Sequence, residues 1–427
     1  MDREILNDRD AKLARAKLTL LNECTAPDAI REWARSSVPS SVRHLHQQSL
    51  HAWRSKLEAD IAFFEKLKAG DDQGLLQEIE GQIGLSLIVR RIKLGLSQSE
   101  LAERVGVREQ QIQRYESERY ASITVRLLQR ISRALGARLT ISPEEDYVPN
   151  VNSLQKDLLE IEPSEVRRDL LHMQSASGSI LSDFDLSDDT ITDIIKIGKK
   201  KIGSNDLYRK TANFEENNKA AQLLLWRGCL SYAFQQCKSK LSSSYDPTDI
   251  EWMAEVPKLS RYADGPRQAF RLLHSHGIGA IAMACPKGLR LDGIAAYEDN
   301  TPIIGLTLRF DRIDYFWFTL MHELGHVALH HRFGLRDGFI DESLSPDSPD
   351  ELEAQANLFA QDLLIPPEAW RTAPARLTRS KKHVEGAAAQ LGIHAAIIYG
   401  RIRWEGNDFK IFSSELGGDV RAQFWRE

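Results

Sequence analysis

Residues 316–331 read "FWFTLMHELGHVALHH" (Phe316 to His331), four histidines and a glutamate set among apolar residues. Trp317, Leu320, Met321, Leu324, Val327 and Ala328 recur at the three- and four-residue spacing of a helix, which predicts one core-facing stripe. His322 and His326 stand one turn apart on another face. That spacing lets two imidazoles converge on one tetrahedral zinc ion, while Glu323 reaches a water held at an open position. Gly325, between the ligands, permits a close backbone approach. His330 continues the same face but lies about 6 Å further along the axis. It is read as a surface residue rather than a supporting group, and His331 likewise as surface.

A catalytic zinc needs a third protein ligand. The stretch "DELEAQANLFAQDLLIPP" (Asp350 to Pro367) supplies one. Leu352, Ala356, Phe359 and Leu363 form the buried stripe of a second helix, which ends near Pro366. Glu353, with Asn357 and Ala360, lies beside that stripe, whereas Glu351 shares a face with Gln355 and Asp362 and is read as solvated. Glu353 is therefore the third ligand, and the intervening residues "FGLRDGFIDESLSPDSP" leave room for the second helix to turn back. Upstream, "GIGAIAMA", "GIAAY" and "PIIGLTL" read as short strands with a hairpin, a small antiparallel sheet along which a peptide could lie.

A different pattern occupies "LSQSELAERVGVREQQIQRYESE" (Leu96 to Glu118). Ser97 is an N-cap with Glu100 three residues on, a capping box. Leu101, Ala102 and Val105 give one buried face, Gly106 the reversal, and Val107, Ile112 and Tyr115 the apolar side of the next helix. Arg108, Gln110, Gln111, Gln113 and Arg114 then point outward. Amides pair with adenine and guanidinium with guanine, so this face suits base edges in a major groove. Gln98, at the start of the first helix, can serve a phosphate. Between Gly81 and Ile141 there are 11 Lys and Arg against 5 Asp and Glu, in a chain whose net charge is −5. The basic balance is thus confined to one module, which suggests an anionic partner for it alone.

With 427 residues the chain has room for two or three domains. No apolar run approaches a membrane span, and "MDREILNDRD" is too charged for a secretory signal, so a cytoplasmic protein without membrane contact is expected. Cys24, Cys229, Cys237 and Cys285 form no C-x-x-C pair and read as reduced thiols. Leu50, Trp53, Leu57, Ile61, Phe64 and Leu67 predict a long amphipathic helix, either an internal packing helix or a dimerisation helix. The expected division is a helical N-terminal region at 1–80, a DNA-binding domain at 81–142, a linker and helical region at 143–260, and a metallopeptidase domain at 261–427.

Residues Val89 to Leu139, through "SQSELAERVGV" and "IQRYESE", resemble the Xre/Cro type of helix-turn-helix domain. The resemblance implies a five-helix domain acting as a homodimer on a palindromic double-stranded operator. "FDRIDYFWFTLMHELGH" and "EAQANLFAQDLLIP" resemble the ImmA/IrrE family of zinc-dependent endopeptidases, over roughly Gly265 to Trp404. That resemblance implies that His322, His326 and Glu353 bind Zn2+ and that Glu323 is the catalytic base. Gln355 stands where relatives often carry an acidic residue. The family cleaves transcriptional repressors in stress or mobile-element responses. The expected fold is therefore multidomain and mainly α, an Xre-like five-helix domain plus an α+β zincin-like domain. The expected function is a transcriptional regulator whose zinc endopeptidase domain cleaves a repressor or antitoxin. The alternative is an antitoxin-like repressor whose zinc domain is a sensor or partner-binding scaffold without turnover.

Overall fold

A computed structural model describes residues 5–26, 36–69, 83–120, 123–138, 163–177, 186–201, 217–298, 301–330, 349–378 and 380–425. The chain divides into two compact units. One comprises Met1–Ile30 with Leu50–Asn150, the other Arg31–Ser49 with Val151–Glu427.

In the first unit, α1 (Asp8–Cys24) is capped by Asn7, whose side chain accepts from the Asp10 N–H. α2 (Ser40–Ala69) begins in the second unit and ends in the first. Its predicted stripe is realised at Leu50, Trp53, Leu57, Phe64 and Leu67, all buried. Ion pairs Arg15–Glu65 and Asp8–Lys68 tie α1 to the later part of α2. α3 (Ile83–Lys93), α4 (Gln98–Val105), α5 (Glu109–Ser117) and α6 (Val125–Ala134) follow. These are four helices of the five-helix domain expected at 81–142; residues 139–150 lie outside the described residues.

α4 starts as its sequence requires. Ser97 Oγ accepts from the Glu100 N–H at 3.1 Å and Glu100 returns a bond from the Ser97 N–H at 2.7 Å. It stops at Gly106, whose φ of 71° is left-handed. Leu101, Ala102, Val105 and Ile112 are buried between α4 and α5. An ion pair sits in this core: Arg91 Nε and Nη2 reach the two Glu116 oxygens at 2.6 and 2.8 Å. The Leu96 and Leu6 carbonyls accept from the same guanidinium, and Gln98 and Tyr120 donate to the same carboxylate. Losing either partner of such a buried pair would strand the other charge.

The second unit opens with α7 (Pro163–Ser177), α8 (Asp188–Lys201) and α9 (Asn217–Cys237), then α10 (Gly265–Ser275). Strands β1 (Gly279–Ala282), β2 (Gly293–Glu298) and β3 (Thr301–Leu306) lead into α11 (Ile313–His330) and α12 (Pro349–Leu364). α13 (Pro367–Thr372), α14 (Pro374–Thr378), α15 (Lys381–Leu391), α16 (Ala395–Glu405) and α17 (Val420–Phe424) complete it.

The sheet corrects one expectation. Its order is β1-β3-β2, with β2 and β3 antiparallel but β1 parallel to β3, so it is mixed rather than antiparallel. β1 shows why, since all four of its residues are buried, and a strand covered on both faces suits parallel pairing. Ala280, Ala282, Ala295, Ile304 and Leu306 pack on one side with Trp317, Leu320 and Leu324 of α11. Ile281, Ile294, Ala296 and Ile303 pack on the other with Leu223, Trp226 and Leu230 of α9 and with Ile191 and Ile194 of α8. Residues of the 143–260 region thus cover the second face of the sheet that carries the site.

Candidate metal centre and nucleic-acid interface

α11 is apolar almost all round, and its predicted stripe from Trp317 to Ala328 is buried throughout. α12 lies against it because Gly325 offers no side chain there. A Cβ at Gly325 would stand 3.0 Å from the Phe359 ring. This contact brings Glu353, six residues earlier on α12, to the level of His322 and His326.

The three groups converge. His322 Nε2 lies 3.0 Å from His326 Nε2 and 3.2 Å from Glu353 Oε2, and His326 Nε2 lies 3.6 Å from Glu353 Oε1. They are the one group of three or more His, Cys, Asp or Glu side chains suited to a metal ion among the described residues. Two imidazole nitrogens and a carboxylate oxygen are the donor set of a catalytic zinc with an open fourth position. His322 Nδ1 is backed by Asn357 Oδ1 at 3.1 Å, an arrangement that orients a ligating ring. Burial opposes the charged form of His322. Its bond to Glu353 and the charges of Glu323 and Glu353 outweigh that and hold its pKa above the ordinary imidazole value. A divalent cation would meet the same negative field.

Glu323, buried on the same helix, lines a cleft of about 430 Å³ with His322, His326 and Glu353. The facing wall is Gly293, Ile294 and Ala295 of β2, one of the two outer strands of the sheet. A Cβ on Gly293 would fall 2.7 Å from Glu323 Oε1, so this carboxylate packs directly on bare backbone. Asp292 and Tyr315 also line the cleft; Arg309 donates to Asp292 and to the Tyr315 hydroxyl, and burial together with the Asp292 bond pushes the Tyr315 pKa up to about 12. The phenol therefore stays protonated at physiological pH.

The reading of His330 as a surface residue is corrected. Its ring is 2 % exposed, with Nδ1 3.0 Å from His326 Nδ1 and Nε2 3.0 Å from Gln355 Oε1. The four-residue step from His326 does keep His330 on one face, but that face is covered by α12. Asp362 on α12 is also buried, where it accepts from Ser41, while Glu351 is exposed as expected. His331 and the segment 331–348 that precedes α12 lie outside the described residues. Of the groups that sequence reasoning missed, His330 had a signal in its i+4 spacing. Gly293, Asp292 and Tyr315 had none, because the path of the chain through the sheet into α11 brings them to the cleft.

On the helix-turn-helix module, Arg108 at the N-cap of α5 and Gln110 and Arg114 within it are exposed, and Gln113 is half-buried, its amide donating to Glu109 at 3.0 Å. Gln111 caps its own helix by accepting from the Arg108 N–H at 3.1 Å. Gln98 turns inward, donating to Glu116 at 2.7 Å, so its amide N–H is held by the core network. Arg104, Arg126, Arg130, Arg133 and Arg138 add exposed positive charge to the same module.

Residues 88–141 match a family model described as a helix-turn-helix, and residues 290–402 match one described as an IrrE N-terminal-like domain. No curated protein and no solved structure matches the chain. No helix among the described residues is long and apolar enough to cross a membrane.

Proposed function

We propose that this chain, in which an Xre-type helix-turn-helix domain is joined to an ImmA/IrrE-like domain, is a DNA-binding regulator that also acts as a zinc-dependent endopeptidase. Its substrate would be a repressor or antitoxin-type protein, cleaved in a stress, toxin-antitoxin or mobile-element response. We assign DNA binding to 81–142 and hydrolysis to 261–427, with 143–260 linking them and 1–80 contributing to a homodimer, and we place the protein in the cytoplasm with its operator. The observation that carries the reading is the convergence of His322, His326 and Glu353, with Glu323 in the same cleft.

Zinc held by those three residues would polarise a scissile carbonyl and acidify a water at neutral pH. Glu323 takes the proton of the attacking water and passes it to the leaving amine. Buried beside Gly293, its carboxylate is held in one place, so little reorganisation is needed at the moment of reaction. The outer edge of β2 can receive an extended peptide by main-chain hydrogen bonds and present it along the cleft. On the DNA side, Arg108, Gln110, Gln113 and Arg114 meet the operator. Gln98 and Gln111 add to that surface only if they leave their intramolecular partners.

The test is incubation of the zinc-loaded protein with the regulatory proteins encoded beside its gene. Wild type should cleave one of them, and Glu323→Gln should keep zinc and lose cleavage. Full cleavage by a zinc-loaded Glu323→Gln protein would remove Glu323 as base. Cleavage by neither protein would favour a sensor or scaffold.

A further inference from the structure

Behind the metal-site residue His326 lies a second histidine and then an amide, His330 and Gln355, joined by two contacts of 3.0 Å. Two imidazole nitrogens at that distance share one proton, so one donates and the other accepts. With Gln355 Oε1 accepting, His330 carries its proton on Nε2 and presents a lone pair at Nδ1. The shared proton then belongs to His326 Nδ1, which leaves His326 Nε2 with its lone pair directed at His322 Nε2 and Glu353. That is the tautomer a metal ligand requires. If the amide were reversed, its N–H groups would drive every proton the other way and place one on His326 Nε2, where it would block coordination.

We propose that His330 and Gln355 are positioning residues, a two-step hydrogen-bond relay from α12 that holds His326 in its metal-ligating tautomer. The proposal rests on the reading of His322, His326 and Glu353 as a zinc site. The relay is built rather than incidental. His330 is 2 % exposed, and an imidazole buried without partners would carry a full desolvation penalty. Gln355 arrives from the helix that also delivers Glu353 and Asn357, so one element sets the third ligand and the backing of both histidines. Outer partners of this kind change metal affinity by about 10- to 100-fold when removed.

The relay is tested on the full-length protein by zinc dissociation constants from competition with a chromophoric chelator, together with the visible spectrum of the Co2+-loaded form. Gln355→Leu, which removes the acceptor from a half-buried position, should weaken zinc binding by about 10- to 100-fold with the Co2+ spectrum still four-coordinate. Gln355→Glu, which can only accept, should bind at least as tightly as wild type. A merely structural role for Gln355 would not distinguish these two variants by their acceptor. Zinc binding by Gln355→Leu equal to wild type overturns the relay, as does equal weakening in Gln355→Glu. If Gln355→Leu does not fold, Gln355→Met, which also removes the acceptor, takes its place with the same expected weakening and the same contrast to Gln355→Glu. A wild-type protein that binds no zinc refutes the underlying site, a result distinct from the failure of the relay.

Discussion

At the scale of single residues, the geometry proposed for catalysis depends on an absence. Gly293 has no side chain, and Glu323 occupies the space where one would be. Gly293→Ala should displace the Glu323 carboxylate, whose atoms lie nearest to the added Cβ. Because displacing a reacting group by an ångström can cost about 100-fold, kcat should fall by roughly that factor with zinc content unchanged. Steady-state cleavage with parallel metal analysis checks this. The residue-level pattern of the site was largely legible in the sequence, since His322, Glu323 and His326 lie on consecutive turns of one helix and Glu353 follows from the apolar stripe of the next. The inward turn of Gln98 was not legible, because its partner Glu116 lies on a later helix. The i+4 spacing placed His330 on the face of His326, but its burial depends on α12, which brings Gln355 to it.

At the scale of elements, helical periodicity identified α2, α4, α5, α11 and α12, because an amphipathic stripe is written in local spacing. Strand pairing is not local. The parallel register of β1 with β3 joins Gly279 to Ile303, and nothing in either run names the other. The role of α2 in the second unit is likewise non-local. His46, on its first turns, is fully buried with Nε2 on the Pro247 carbonyl. Burial lowers its pKa from 6.5 to about 4, against that hydrogen bond and the charges of Asp246 and Asp249. The sign follows from proton uptake. Between pH 6.5 and about 4 the unfolded chain binds a proton that the folded one does not, so stability is full above the upper value and is lost as pH falls through the lower. The contribution at neutral pH is on the order of 3 kcal/mol. Thermal unfolding of metal-free protein should therefore show a steeper fall of Tm with acidification across that window in wild type than in His46→Gln. Parallel Tm profiles for the two proteins would contradict it.

At the scale of the whole molecule, a basic module and an acidic remainder are joined in one chain. The exposed arginines of the helix-turn-helix predict duplex affinity that falls steeply with salt, by a slope of about 0.9 in log K per phosphate neutralised. Arg114→Ala should cost about 1–3 kcal/mol of operator binding and relax preference at one base position, as measured by salt-dependent titration against operator and random duplex. An unchanged affinity and preference would remove Arg114 from the base-reading face. The account as a whole, however, rests on the metal. Zinc-edge X-ray absorption of the purified protein tests it most directly. The predicted result is one zinc per chain held by two imidazole nitrogens and carboxylate or water oxygen at about 2.0–2.2 Å, with the histidine signal reduced in His326→Ala. A protein that holds no zinc, or holds it with a spectrum unchanged by His326→Ala, would contradict the account.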